Sequence, residues 1–151
     1  MNQNVVYQVA VWLIPLVIAI VFHEVAHGFV ARLFGDRTAQ DRGRLSLNPL
    51  RHVDPVGTIV VPMFLAIAHA PVFGWAKPVP VVANRMRNPR WNMALVALAG
   101  PVTNLVLAGV GAIALGWFVA AQGGALPQTG ARGFVADNLV NFLLINVFLA
   151  I

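Results

Sequence analysis

Apolar stretches alternate with short basic segments along this chain. Residues 5–30 are apolar as far as Phe22 and then carry His23, Glu24 and His27. Residues 32–54 are polar, with Arg32, Arg37, Arg42, Arg44 and Arg51. Residues 55–75 are apolar again but broken by Gly57, Pro62, Pro71 and Gly74. Residues 77–82 form a short β-like run whose prolines confine it to an edge strand or an extended segment. Arg85, Arg87 and Arg90 follow in a second basic loop. From Asn92 to residue 121 the only further polar positions are Thr103 and Asn104. A Gly/Pro loop, 122–133, leads to a last apolar helix, 134–151. About 20 apolar residues cross a bilayer, so 5–30, 92–121 and 134–151 are predicted to be membrane spans.

The basic loops orient these spans. Lys and Arg concentrate on the cytoplasmic side of membrane proteins, which places both 32–54 and 76–91 there. Residues 55–75 then enter the membrane and return as a broken hairpin, a backbone tolerated where protein or water covers it. The N-terminus falls outside. A four-span bundle is the alternative. The leader Met1-Asn2-Gln3-Asn4 has no Lys or Arg, so the first segment reads as a retained span and not a signal peptide. Trp12, Trp75, Trp91 and Trp117 read as interface anchors. Gly100, Gly109, Gly111 and Gly116 read as points of close helix packing.

Composition agrees with this reading. Hydrophobic residues make up 59% and charged residues 10% of the 151 positions, against about 25% charged in a soluble domain. A soluble enzyme, a disordered tail and a disulfide scaffold are excluded on that ground. The net charge of +5 sits in the short loops and marks topology, not a nucleic-acid site. The absence of cysteine removes a cysteine nucleophile and any thiolate metal site.

Chemistry concentrates in His23-Glu24-Val25-Ala26-His27, an H-E-x-x-H pattern containing the only glutamate of the chain. Helical residues at i and i+4 share a face, so both imidazoles can reach one metal. Zinc suits two imidazoles, an oxygen ligand and an open position for water. Glu24, beside the first histidine, can take a proton from that water and pass it to a leaving amine. The competing reading is a pair of polar residues lining a helix interface. Ionisable groups inside a membrane segment are costly and are functional by default, which favours the metal.

The sequence here resembles the site-2 protease family of intramembrane zinc metalloproteases (peptidase family M50), in its small form without a PDZ domain. Beyond H-E-x-x-H, residues 43–58 (Gly43-Arg44-Leu45 to Val56-Gly57-Thr58) resemble the family's following loop. Phe73-Gly74-Trp75-Ala76-Lys77-Pro78-Val79-Pro80-Val81 resembles its next signature, and Gly100-Pro101-Val102-Thr103-Asn104 resembles its G-P-x-x-N helix. The resemblance implies an all-α membrane fold and cleavage of substrate transmembrane helices by zinc-activated water. It implies His23 and His27 as zinc ligands, Glu24 as the catalytic acid/base and Asn104 as a supporting hydrogen-bond partner. The expected partners are a transmembrane protein substrate and membrane lipid, with no nucleic acid, in the inner membrane of a prokaryote.

The family's third ligand is an Asp in a later N-x-x-P…D-G motif, which is not among these residues. Residues 1–151 therefore read as one membrane-embedded metalloprotease-like domain that is C-terminally incomplete. Asp54 is a substitute candidate against its plainer reading as a loop Asp that starts the segment at Pro55. His52 is a candidate for holding a ligating histidine against a solvated loop histidine. Residues 73–82 are either an edge strand that holds an unwound substrate or a rigid Pro-rich connector. The alternative function is a non-catalytic membrane protein that binds metal or a partner helix.

Overall fold

The computed structural model describes residues 5–68 and 75–151. Among these residues the chain forms five α-helices and no strand. The long helices are α1 (Val5–Leu33), α4 (Pro89–Ala121) and α5 (Gly130–Ala150). Between them lie α2 (Thr38–Asp41), a 3₁₀ turn (Pro49–His52), and a π-helical turn (Pro55–Val60) that runs into α3 (Val61–Ile67). The three long helices are each long and apolar enough to cross a membrane. Trp12, Leu13 and Ile14 on α1, Leu105 and Ile113 on α4, and Leu144 and Phe148 on α5 are all exposed. Water penalises such a surface and hydrocarbon does not. The chain therefore reads as a membrane protein.

The four-span alternative finds no fourth long helix among the described residues. The π-helical turn and α3 together rise only about 20 Å, short of a hydrocarbon core of about 30 Å. The two ends of this segment nevertheless meet. Trp75 N donates to Gly57 O at 3.1 Å, and Thr58 Oγ1 donates to Trp75 O at 2.8 Å. The Trp75 ring covers Gly57 so closely that a Cβ there would run into the indole. The turn of the expected hairpin, with His69, Phe73 and Gly74, lies outside the described residues.

The chain divides into two compact units, Met1–His23 with Leu98–Ile151, and Glu24–Ala97. In the first, Pro15 sits inside α1 and is fully buried. Proline has no N–H and leaves the carbonyl four residues earlier without its helix partner. That carbonyl is Val11 O, and Asn141 Nδ2 of α5 donates to it at 2.9 Å. Nearer the N-terminus, Tyr7 OH donates to Asp137 Oδ2 at 2.6 Å, and the Tyr7 and Phe134 rings meet edge to face. Small buried residues, Ala19, Ala108 and Ala136, occupy the interior. Gly111 is the tight point between α4 and α5, because a Cβ there would stand 2.9 Å from the Phe142 ring. Gly109 and Gly116 face open space, so close packing does not use them.

The second unit is organised by polar side chains. A small apolar cluster of Ala31, Met86 and Val96, flanked by Val30, Phe34 and Val81, packs at its centre. α1 stops at Gly35, whose φ of 111° is open to glycine. The turn brings Asp36 inside, where it is fully buried. Its Oδ1 accepts from Thr38 Oγ1 and Thr38 N, and its Oδ2 accepts from Val82 N at 2.6 Å. Arg85 Nη1 donates to the same Thr38 hydroxyl at 2.9 Å.

The expected β-like run is not a strand. Residues 75–82 have no regular structure, and their hydrogen bonds explain why. Pro78 and Pro80 have no N–H to give. Lys77 N donates to His52 O, Val79 N to Glu24 Oε2 and Val82 N to Asp36 Oδ2. Arg44 Nη2 takes up Lys77 O at 2.7 Å. Side chains and the carbonyls of His52 and Gly57 thus bind the groups that a neighbouring strand would need, so the segment is a braced connector.

Two outcomes follow for stability. Asn141→Leu is expected to cost about 1 kcal/mol in reversible unfolding in detergent. In a Pro15→Ala background that cost is expected to shrink, because Val11 O regains its helix donor. An unchanged cost would remove the explanation. For Asp36, burial works to raise the pKa, but the bonds from Thr38 Oγ1, Val82 N and Thr38 N and the Arg85 charge prevail and hold it below 3.8. A carboxyl with a depressed native pKa stabilises fully above its unfolded pKa, and that stability is lost as pH falls through the native value. Asp36→Ala is expected to cost roughly 3 kcal/mol at pH 7 and to flatten the acid limb of a stability–pH curve measured from pH 7 downward.

Candidate metal centre

The H-E-x-x-H residues lie on α1, one uninterrupted helix. All three are half-buried. His23 belongs to the first unit and Glu24 and His27 to the second.

In the first unit, His23 Nδ1 is 3.0 Å from Asn104 Oδ1. Asn104 is fully buried on α4, four residues after Gly100 and just past Pro101. With the amide oxygen as acceptor, His23 carries its proton on Nδ1 and its lone pair on Nε2. Asn104 Nδ2 is buried with no hydrogen-bond partner among the described residues.

In the second unit, His27 Nδ1 is 2.6 Å from Val96 O on α4. A carbonyl only accepts, so this bond fixes the proton on Nδ1 and the lone pair on Nε2. Histidines that ligate metals are commonly held in this way, with the other ring nitrogen donating to an oxygen. Glu24 Oε2 accepts from Val79 N at 2.8 Å. Gly28 permits that bond. It lies one turn after Glu24 on the same face, and a Cβ at Gly28 would stand 2.7 Å from Val79 Cγ1 and 2.7 Å from Leu45 Cδ2. The absent side chain lets Val79 lie against α1 with its N–H on the carboxylate.

The remaining candidates serve their own loops. His52 is buried, with Nε2 2.8 Å from Ser46 O. Asp54 caps the π-helical turn, its Oδ1 accepting from Val56 N at 3.0 Å and Gly57 N at 2.7 Å. Among the described residues no group of three His, Asp or Glu side chains converges. Motif reading passed over Gly28. Gly28 had a visible signal, since glycine within a helix costs about 1 kcal/mol against alanine and calls for a packing reason.

Comparison with known proteins gives relatives over about two thirds of the chain. Over 98 residues, 65% of this chain, it is 47% identical to "Putative zinc metalloprotease YwhC" of Bacillus subtilis, covering 42% of that protein. Over 100 residues, 66% of this chain, it is 36% identical to "Putative zinc metalloprotease Rip2" of Mycolicibacterium smegmatis, covering 36% of it. It is 38% identical over 101 residues to "Putative zinc metalloprotease Rip2" of Mycobacterium tuberculosis, covering 66% of this chain and 36% of that protein. The chain thus spans roughly two fifths of the length of the curated relatives it matches. No protein-family profile and no solved structure matches it.

Proposed function

From the chain's likeness to relatives named as zinc metalloproteases and from the site-2-protease-like motifs of its sequence, we propose that it belongs to an intramembrane zinc metalloendopeptidase that cleaves transmembrane helices of substrate proteins. The observation that carries the proposal is the pinning of both motif imidazoles through Nδ1, His23 by Asn104 and His27 by Val96. They stand four residues apart on α1, a spacing that sets two helical positions on one face. Neutral imidazole nitrogens are zinc donors, so His23 and His27 would supply two of the three protein ligands of a catalytic zinc. Zinc, when bound, supplies a Lewis acid that makes water nucleophilic near neutral pH.

The chain's own residues do the rest. Glu24 is the acid/base. Its Oε2 is held by Val79 N, which sets the carboxylate plane and assigns Oε1 to take the proton from the attacking water. The same oxygen returns the proton to the leaving amine as the peptide C–N bond breaks. Asn104 keeps His23 in the ligating tautomer. The site sits toward the inner end of α1, five residues before Arg32. The basic loops face the cytoplasm, the start of α1 lies outside, and the segment that begins at Pro55 re-enters the membrane, here the inner membrane of a prokaryote. The partners are a transmembrane protein substrate and lipid.

The test uses the full chain in detergent, with zinc content and cleavage of a transmembrane-helix peptide as readouts. Glu24→Gln is expected to keep zinc while cleavage falls by about 10²-fold or more. His23→Ala is expected to lose zinc. Full activity in Glu24→Gln would overturn the mechanism. Zinc binding by the unchanged chain with no cleavage would favour the non-catalytic, metal-binding alternative.

A further inference from the structure

The loop after α2 and the connector after Trp75 enclose a cleft of about 360 Å³, lined by Arg42, Arg44, Arg51, Lys77, Pro78 and Pro80. Four cationic side chains border it, and no carboxylate is among its lining residues. Like charges gathered around one cleft repel, and the repulsion is relieved by an anion between them. Two of the four are already set in place by neutral acceptors. Arg44 donates to the carbonyls of Arg51, Lys77 and Pro78, and Arg51 Nη1 donates to Gly43 O at 2.7 Å. Gly43, at a φ of 63°, lets the Arg51 guanidinium lie close, since a Cβ there would run into it. These carbonyls fix geometry without cancelling charge. Arg44 Nε is buried with no hydrogen-bond partner among the described residues. Arg42 and Lys77 are exposed, and none of the hydrogen bonds described for the cleft uses their charged ends.

We propose that this cleft binds a phosphate group. Guanidinium forks with an adjacent ammonium match the oxygens of a phosphate, and the volume holds on the order of ten waters, enough for the group and its hydration. The phosphate comes either from an anionic lipid headgroup or from a soluble phosphate compound. Basic pockets beside membrane helices take the former. The binding site has a mechanical link to Glu24. Pro78 and Pro80 flank Val79, whose N–H holds the Glu24 carboxylate, so an occupant fixes the connector that orients Glu24. Phosphate binding itself stands whether or not the chain is a protease.

The test is thermal unfolding of the full chain in neutral detergent, with sodium phosphate titrated against sodium chloride at equal ionic strength. Phosphate is expected to raise the unfolding temperature where chloride does not. The double variant Arg42→Gln/Lys77→Gln is expected to weaken that response by about tenfold or more in phosphate concentration. A parallel pair of nanodiscs separates the sources. Protection by phosphatidylglycerol over phosphatidylcholine, with no further effect of phosphate, identifies a lipid. Equal stability in both, with phosphate still protecting, identifies a soluble compound. Identical responses to phosphate and chloride together with equal stability in the two lipids would overturn the proposal. So would an undiminished phosphate response in the double variant.

Discussion

The hydrogen bond from an imidazole Nδ1 to an oxygen on α4 is the constraint on which the site depends. His23 makes it to Asn104 and His27 to Val96. A neutral imidazole can carry its one proton on either ring nitrogen, and its hydrogen-bond partner decides which. Here an acceptor stands at Nδ1 of each ring, which puts the lone pair on Nε2, the nitrogen of the proposed metal site. The Val96 carbonyl serves in its second lone-pair direction, which an α-helix leaves open. The Asn104 amide is fully buried, and its cost is warranted only by the bond it makes.

The same rule orders the rest of the chain. Several polar groups out of water have named partners, and many large apolar side chains are exposed. Val11 O, freed by Pro15, finds Asn141. Asp36, drawn inside after α1 ends, finds Thr38 and Val82. The connector at residues 75–82 has few N–H groups for a sheet; Glu24 and Asp36 accept from Val79 N and Val82 N, and Arg44 donates to its Lys77 carbonyl. Glu24 is thereby both a proposed acid/base and a structural acceptor. A motion of the connector would change its orientation.

Much of this was legible in the sequence because membrane physics writes in long runs. The three long apolar helices follow from span length and from charge confined to loops, and the H-E-x-x-H spacing puts its residues on one helix. What was not legible lies in the loops. Residues 77–82 have the composition of a strand, but pairing depends on which N–H groups remain, and that depends on distant side chains. Asp54 was open to two readings, and its carboxylate caps the next turn. Gly28 matters through Val79 and Leu45, which sequence proximity does not join to it. The α4 carbonyl that holds His27 has no sequence signal at all, since any residue supplies one.

Nitrogen-15 NMR of the histidine side chains in the full chain, before and after one equivalent of zinc, tests the central claim most directly. The expected result is a neutral Nδ1–H tautomer for both His23 and His27, with zinc shifting their Nε2 resonances and leaving Nδ1 protonated. A neutral Nε2–H tautomer at either residue, or zinc entering at Nδ1, would contradict the account. In that case the oxygens of Asn104 and Val96 would hold the helices together without preparing a metal site.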